Sequence, residues 1–303
     1  MTHYQLVSSN KRRSVAIMIG FVFFIALVTW VFASAMQYDM SFVGLALIFS
    51  GATSFASYWW SDKIILGISK ARQATREEFF DYFTTVENIC LGQRMPMPKL
   101  YVIDDSAMNA FATGRNPENA VVCATTGLLS RLERSEIEGV VAHELAHIRN
   151  YDMLLMSVVT ILVGMVSLLS DWFLRMGFMG NRKKSSNSNN SGQLQMILTV
   201  AGLLLALLSP LIAQLIKLAL SRKREYLADS TAVSYTKNPM GLANALTKIS
   251  QDLEPLEVAN KATAHLYIAN PLKNQHGGVG MFANMFQTHP PIKERVNNLL
   301  SMA

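Results

Sequence analysis

The chain has 303 residues, of which 50% are hydrophobic and 16% are charged, and its formal net charge is +6. A soluble protein usually carries about 25% charged residues, so this composition argues against an entirely soluble protein and indicates lipid-facing segments. The basic residues stand beside apolar runs, which favours membrane flanks over a nucleic-acid surface, and two cysteines are too few for a disulfide framework or a cysteine metal site.

Two uncharged runs near the start of the chain, 14–36 and 40–61, are each long enough to cross a bilayer core. Cations precede the first run at 11–13 and follow the second from Lys63, and none lies between them. The positive-inside rule therefore places both ends of this pair on the cytosolic side. We predict that residues 1–61 form a polar tail followed by two transmembrane helices.

Residues 62–152 have the pattern of the first part of an α+β domain. The predicted elements are an amphipathic helix over 77–91, short strands over 99–104, 109–113 and 120–125, and a turn over 114–117. The strands predict a small sheet that precedes the next helix. An edge strand of such a sheet can pair with an extended peptide through backbone hydrogen bonds.

The sequence His143-Glu144-Leu145-Ala146-His147 lies within an apolar stripe of helical period. Residues four apart share one face of a helix, so His143 and His147 can bind one zinc ion, and Glu144 can act as a general base on water. Ser135 and Glu138 fit a capping box, which predicts Ser135 as the N-cap. The short motif also occurs by chance, and a catalytic zinc site needs a third protein ligand.

Two further uncharged runs, 153–170 and 194–216, predict third and fourth transmembrane helices within 153–220. The loop between them is rich in Ser, Asn and Gly over 184–193, and it carries the cations Arg175 and 182–184. If each uncharged run crosses the membrane once, successive loops lie on alternate sides and these cations lie on the non-cytosolic side, which the positive-inside rule disfavours. The alternative is a helical hairpin that does not fully span the membrane.

Glu225 and Asp229 follow the fourth run and lie four residues apart on one predicted helix face. Glu225 can be the third metal ligand, with Asp229 accepting a hydrogen bond from a ligating histidine. The alternative is a solvated helix face that pairs with nearby arginines.

The last part of the chain is predicted to hold helices over 240–250 and 292–301, with irregular structure over 253–287. His265 and His276 fit ordinary loop histidines. His289 precedes two prolines, and from the residues alone it is either a simple polar residue ahead of a helix or part of the site.

The combined pattern of H-E-L-A-H, two flanking pairs of apolar runs, S-R-K-R-E-Y-L-A-D and T-H-P-P-I-K-E-R-V resembles the HtpX-type membrane zinc metallopeptidases, relatives of the type 1 CAAX prenyl endopeptidases. The match covers nearly the whole chain. It implies a mostly helical α+β protein with four transmembrane helices. It also implies a cytosolic gluzincin-type protease domain with a small β-sheet, built from 62–152 and 221–303.

The resemblance implies one Zn²⁺ per chain, bound by His143, His147 and Glu225, with Glu144 as base and proton shuttle. Weaker correspondences imply four further roles, which are substrate-backbone contact by Asn109, oxyanion stabilisation by His289, support of the site by Asp229, and pairing of Arg295 with Asp229.

The implied function is hydrolysis of peptide bonds in misfolded membrane proteins or unfolded polypeptides, with the active site facing the cytoplasm at a bacterial inner membrane. A CAAX prenyl endopeptidase is an alternative, disfavoured because the chain has four apolar runs rather than a larger helical chamber. A non-catalytic scaffold or metal sensor is disfavoured because every expected catalytic position is filled.

Overall fold

The computed structural model describes residues 3–36, 39, 41–179, 200, 222–259, 263–271 and 290–303. In the N-terminal half the helices and strands are α1 His3–Met36, α2 Ser41–Trp59, α3 Ser61–Ile68, β1 Arg72–Gln73, α4 Phe80–Gln93, β2 Lys99–Ile103, β3 Ala110–Gly114 and β4 Ala120–Thr125. They are followed by α5 Thr126–Arg131, α6 Arg134–Arg149, α7 Asp152–Met179, α8 Arg222–Thr236, α9 Pro239–Gln251 and α10 Ile292–Leu300.

The strands form one mixed sheet in the order β1-β2-β4-β3, in which β2 and β4 are parallel and the other pairs are antiparallel. The three predicted strands are therefore present, and the two-residue strand β1 is too short for a sequence pattern to reveal. Gly114 ends β3 with a φ of +130°, and a Cβ there would lie 2.3 Å from the carbonyl oxygen of Asn119. Only glycine fits this turn.

Helix α6 runs through the main apolar core, packed against α4, α8, α9 and the sheet. At Gly139 it approaches α9 so closely that a Cβ would lie 2.6 Å from the Leu242 backbone nitrogen. The predicted N-cap Ser135 is wrong, because the helix begins two residues earlier, after Glu133. The carboxylate of Glu136 accepts a hydrogen bond from the Glu133 backbone N–H at 2.8 Å and takes the capping role.

Helix α4 begins at Phe80, three residues later than predicted. Glu78, which the pattern placed inside the helix, instead pairs with Arg72 on β1. The predicted helices near the C-terminus are confirmed, and Asn238 caps α9 by accepting a hydrogen bond from Gly241 N–H at 3.1 Å. The core that surrounds α6 includes residues from both parts of the protease domain predicted over 62–152 and 221–303.

Helix α1 contains the segment Val7–Trp30, which within the described residues is the single helical segment long and apolar enough to cross a bilayer by itself. Only 17% of its apolar window is buried. The segment Val43–Trp59 of α2 is apolar but shorter, and Asp152–Val166 of α7 is long and apolar enough to cross a bilayer only together with α6. Apart from Val200, the fourth predicted run lies outside the described residues, so four transmembrane helices stay a prediction.

Residues 3–13 of the predicted polar tail are helical and continue into the apolar part of α1. Helices α6 and α7 meet at a corner of 84°. The corner is made by Asn150 and by Tyr151, whose φ of 59° lies in the left-handed region. It brings the first residue of α7 back towards the end of α6.

Candidate metal centre

Helix α6 contributes two imidazoles and a carboxylate to a buried site. His143 and His147 lie one turn apart, with perpendicular rings whose centroids are 4.7 Å apart and with Nε2 atoms 3.2 Å apart. Glu144, next to His143, is also buried. The apolar residues of α6 fix the rotation of the helix in the core, so both histidines face the same point.

Helix α8 brings a second carboxylate to this point. Glu225 Oε1 lies 3.5 Å from His147 Nε2, and Glu225 Oε2 lies 3.7 Å from His143 Nε2. These three residues are the group that could hold a metal ion within the described part of the chain. Glu225 and Asp229 are both buried, which excludes the alternative of a solvated helix face.

Each imidazole is oriented by a carboxylate on its other nitrogen. Asp229 Oδ1 lies 3.0 Å from His143 Nδ1, and Asp152 Oδ2 lies 3.2 Å from His147 Nδ1. Because a carboxylate accepts a hydrogen bond from Nδ1–H, each neutral ring keeps its lone pair on Nε2. When both rings are neutral, two lone pairs and the Glu225 carboxylate face one another, an arrangement that a cation stabilises.

Arg295 is fully buried and holds Asp229 in a bidentate pair, with Nη2–Oδ1 at 2.6 Å and Nε–Oδ2 at 2.9 Å. Its Nη2 also lies 3.3 Å from His143 Nδ1, but the shorter contact to Asp229 shows where that nitrogen donates. The structure thus brings Arg295, Asp229 and His143 together in one chain of contacts. Arg295 Nη1 lies 3.8 Å from Glu225 Oε2, so this cation also faces the carboxylate that α8 brings to the metal-binding group.

Asp152 is a residue of the site that the sequence analysis missed. It is the first residue of α7, and besides its contact with His147 it accepts hydrogen bonds from Asn10 Nδ2 at 2.7 Å and from Arg224 Nη1 at 3.4 Å. The sequence signal that could have identified Asp152 as part of the site is its position five residues after His147. Its significance depends on the corner between α6 and α7, which no local pattern predicted.

Burial and the charge of Arg295 lower the pKa of His143 to about 4, despite its contact with Asp229. Burial also disfavours the charged form of His147, but the carboxylates of Glu225 and Asp152 outweigh this effect and raise its pKa to about 9. For Asp229, burial alone would raise the pKa, but Arg295 lowers it to about 2. Asp229 is therefore ionised at neutral pH.

We expect binding of a divalent cation such as Co²⁺ to release about one proton per site at pH 7. His147, with its pKa raised, carries a proton in the metal-free protein, whereas His143, with its pKa lowered, does not. Apparent affinity should therefore fall about tenfold for each unit that the pH is lowered between about 9 and 4. Calorimetric titration in buffers of different ionisation enthalpy counts the protons, and a count near zero at pH 7 would contradict the expectation.

A cavity of about 10 Å³ adjoins the donor atoms, which is room for about one water molecule. Its lining includes the three functional residues of α6 together with apolar side chains, and the full set is Ala112, His143, Glu144, His147, Met153, Met156 and Leu266. Glu144 therefore faces the same small space as the two imidazoles. A water molecule held there lies beside both a carboxylate and the metal-binding nitrogens.

Asn109 lies immediately before strand β3 and is buried, but it is not among the residues that line the cavity. Its Nδ2 donates to the carbonyl oxygen of Ala269 at 3.1 Å, and the Ile268 backbone N–H donates to the Ala110 carbonyl oxygen at 3.0 Å. The chain at 268–269 therefore lies along the outer edge of β3 at its first residue. Ala112, two residues further along β3, lines the cavity.

His289 and His276 lie outside the described residues, as does the side chain of His265. The predicted oxyanion role of His289 stays a prediction. The next residue, Pro290, is buried and leads into α10, the helix that carries Arg295.

Comparisons with known proteins identify relatives along the whole chain. Peptidase family M48 matches residues 84–303. A protein named Protease HtpX homolog from Dictyoglomus thermophilum is 40% identical over 301 residues, covering 99% of this chain and 95% of its own. The protein of the same name from Streptococcus uberis is 38% identical and covers 99% of each chain.

A third Protease HtpX homolog, from Syntrophobacter fumaroxidans, is 41% identical over 263 residues, which are 85% of this chain and 89% of its own. The crystal structure of S. mikatae Ste24p aligns with 98% of this chain and 67% of its own at 16% identity, with a TM-score of 0.47.

The match to family M48 covers most of the chain, and the relatives named as HtpX proteases match it from end to end at about 40% identity. The predicted enzyme class is therefore confirmed by the comparisons, and the apolar helix α1 agrees with attachment to a membrane. The chain belongs to peptidase family M48 and is a membrane metalloprotease of the HtpX type.

Proposed function

We propose that the chain is a multi-pass zinc endopeptidase of a bacterial inner membrane, which cleaves unfolded or misfolded membrane proteins at the cytoplasmic face. The observation that carries this proposal is the convergence of His143, His147 and Glu225, three buried donors from two helices, beside the carboxylate of Glu144.

The donor distances fit zinc. A tetrahedral zinc ion with bonds of about 2.0–2.1 Å separates its ligand atoms by about 3.3–3.4 Å. The observed separations are 3.2 Å between His143 and His147, 3.5 Å between His147 and Glu225, and 3.7 Å between His143 and Glu225. Three protein ligands leave one coordination position open, as in catalytic zinc sites.

When bound, zinc supplies Lewis-acid activation of the scissile carbonyl group and of the attacking water. Glu144 borders the cavity that holds room for this water, so its carboxylate can take the water's proton and pass it to the leaving amine. Asp229 and Asp152 keep both imidazoles in the tautomer that presents Nε2 to the ion.

An unfolded substrate fits the surroundings of this site. The cavity is small and is bordered by Ala112 of strand β3, so an extended chain that runs along β3 can present its backbone to Glu144. Asn109, through Ala269, positions the segment that lies along the start of β3, which supports an indirect role for Asn109 in this proposal.

The position of Asn10 supports a cytoplasmic active site. Asn10 contacts Asp152, so the metal centre lies level with the basic end of α1, where 11–13 are all cations. Cations flanking a transmembrane helix favour the cytosolic side. Exposed apolar side chains on α1, α2 and α7, such as Phe23, Ile48 and Leu168, agree with several helices in contact with lipid.

We expect the full-length protein, purified in detergent, to cleave an unfolded membrane-protein substrate, to lose this activity on chelation and to regain it with Zn²⁺. The reason is that activation of the scissile carbonyl group and activation of the attacking water both depend on the ion. Gel electrophoresis monitors the cleavage. A farnesylated CAAX peptide is assayed in parallel as the substrate of the alternative function. The variant His143→Ala, purified in the same way, controls for contaminating proteases.

Selective cleavage of the farnesylated peptide would instead support the prenyl endopeptidase. Absence of cleavage in a protein that binds zinc stoichiometrically would support a scaffold or metal sensor. Either result would overturn the proposed function.

A further inference from the structure

The polar end of α1 reaches into the protein next to the metal centre. Asn10 is 2% exposed, although it precedes three consecutive cations in a polar stretch of sequence. Its side-chain Nδ2 donates to the Asn150 carbonyl oxygen at 2.9 Å and to Asp152 Oδ1 at 2.7 Å. A buried amide that donates both of its hydrogens to the α6–α7 corner is a specific polar contact, not surface packing.

Asp152 connects this contact to the metal centre. One of its oxygens accepts from Asn10, and the other lies 3.2 Å from Nδ1 of His147. Arg224 Nη1 lies 3.4 Å from the first oxygen, so Asn10 and Arg224 hold the carboxylate from α1 and α8. The plane of the carboxylate is thereby fixed, and with it the direction in which His147 presents Nε2.

We propose that Asn10 is a positioning residue of the metal centre, which acts through Asp152 on His147 and makes the membrane helix α1 part of the support of the zinc ligands. This inference rests on the proposed zinc site and adds a residue that lies 133 positions from the nearest ligand in sequence.

The remaining contacts of α1 differ from this one in kind. Phe21 belongs to an apolar cluster with residues of α7, and Lys11 places its ammonium group 4.4 Å from the ring centroid of Tyr151. Ser14, one turn beyond Asn10 and also buried, donates to the carbonyl oxygen of Asn10 within the same helix. The contacts of Phe21 and Lys11 dock α1 and that of Ser14 stays within the helix, whereas Asn10 directs its side chain to a group that touches a metal ligand.

The test compares metal affinity in full-length protein purified in detergent. We expect Asn10→Ala and the isosteric Asn10→Asp, which cannot donate and places a second carboxylate beside Asp152, to weaken Zn²⁺ binding by about 10–100-fold. Affinity is measured by competition with a chromophoric chelator. The absorption spectrum of bound Co²⁺ reports the ligand geometry independently of activity, and it should change in both variants.

Ser14→Ala is the matched control, because it deletes a buried polar group of the same helix without touching Asp152. It should bind both ions as the unchanged protein does. In an Asp152→Asn background, Asn10→Ala should have little further effect, because residues that act through one path are not additive.

Unchanged affinity and an unchanged Co²⁺ spectrum in both Asn10 variants would overturn the inference, and so would full additivity with Asp152→Asn. An equal loss in Ser14→Ala would show a general effect of α1 docking and would also overturn it. If the unchanged protein binds no zinc, the proposed function itself fails, so the two failures are distinguishable.

Discussion

Replacing Glu144 by glutamine is expected to lower the rate of peptide cleavage by about 10²–10⁴-fold while zinc stays bound at one ion per chain. Glutamine keeps the size of the side chain but cannot take a proton from water. The three donor atoms of His143, His147 and Glu225 are unchanged, so the metal site persists. Turnover of an unfolded substrate and metal analysis of the same preparation measure the two quantities.

Glu138→Gln is the matched control for this substitution, since Glu138 lies on the same helix but is not among the residues that line the cavity. Its activity should equal that of the unchanged protein. Undiminished cleavage by Glu144→Gln would remove Glu144 from the role of base. Loss of zinc together with activity would show that Glu144 serves the metal site instead.

Replacing Glu225 by alanine is expected to abolish stoichiometric zinc binding and, with it, all detectable cleavage. Two imidazoles alone leave an incomplete ligand set for a catalytic zinc ion. The substitution also leaves Arg295, fully buried and 3.8 Å from the lost carboxylate, with one fewer counter-charge. We therefore expect lower thermal stability as well, because a buried charge without its partners is costly.

Metal analysis after dialysis and a thermal melt of the same variant test both parts of this prediction. Glu257→Ala, which removes an exposed carboxylate elsewhere in the chain, should leave zinc and stability unchanged. Full zinc occupancy in Glu225→Ala would move the third ligand to another residue and would contradict the site as described.

Short-range patterns predicted the parts of the site that lie within one helix. The spacing of His143 and His147, and that of Glu225 and Asp229, depends only on helical periodicity, and the structure has both pairs on single helix faces. The prediction that residues of these two helices bind the same ion depended on the family resemblance. Spacing alone could not choose between a buried ligand and a solvated acid at Glu225.

Contacts that depend on tertiary packing were not predictable in this way. Asp152 reaches His147 only because Tyr151 adopts a left-handed conformation at the corner, and Asn10 reaches Asp152 only because α1 docks on α7. The cap of α6 was misplaced for a related reason. Glu136 is buried and contacts Lys248 of α9, so packing between helices selects the carboxylate over Ser135.

The 84° junction of α6 and α7 sets the direction of the helix that carries His143 and His147 relative to α7. With α7 crossing the bilayer as proposed, an 84° junction lays α6 nearly flat on the lipid surface. The zinc-binding residues and Glu144 on α6 then lie at one distance from the lipid headgroups. Under the proposed function, a membrane-anchored substrate is then cleaved where it has an unfolded stretch long enough to span that distance.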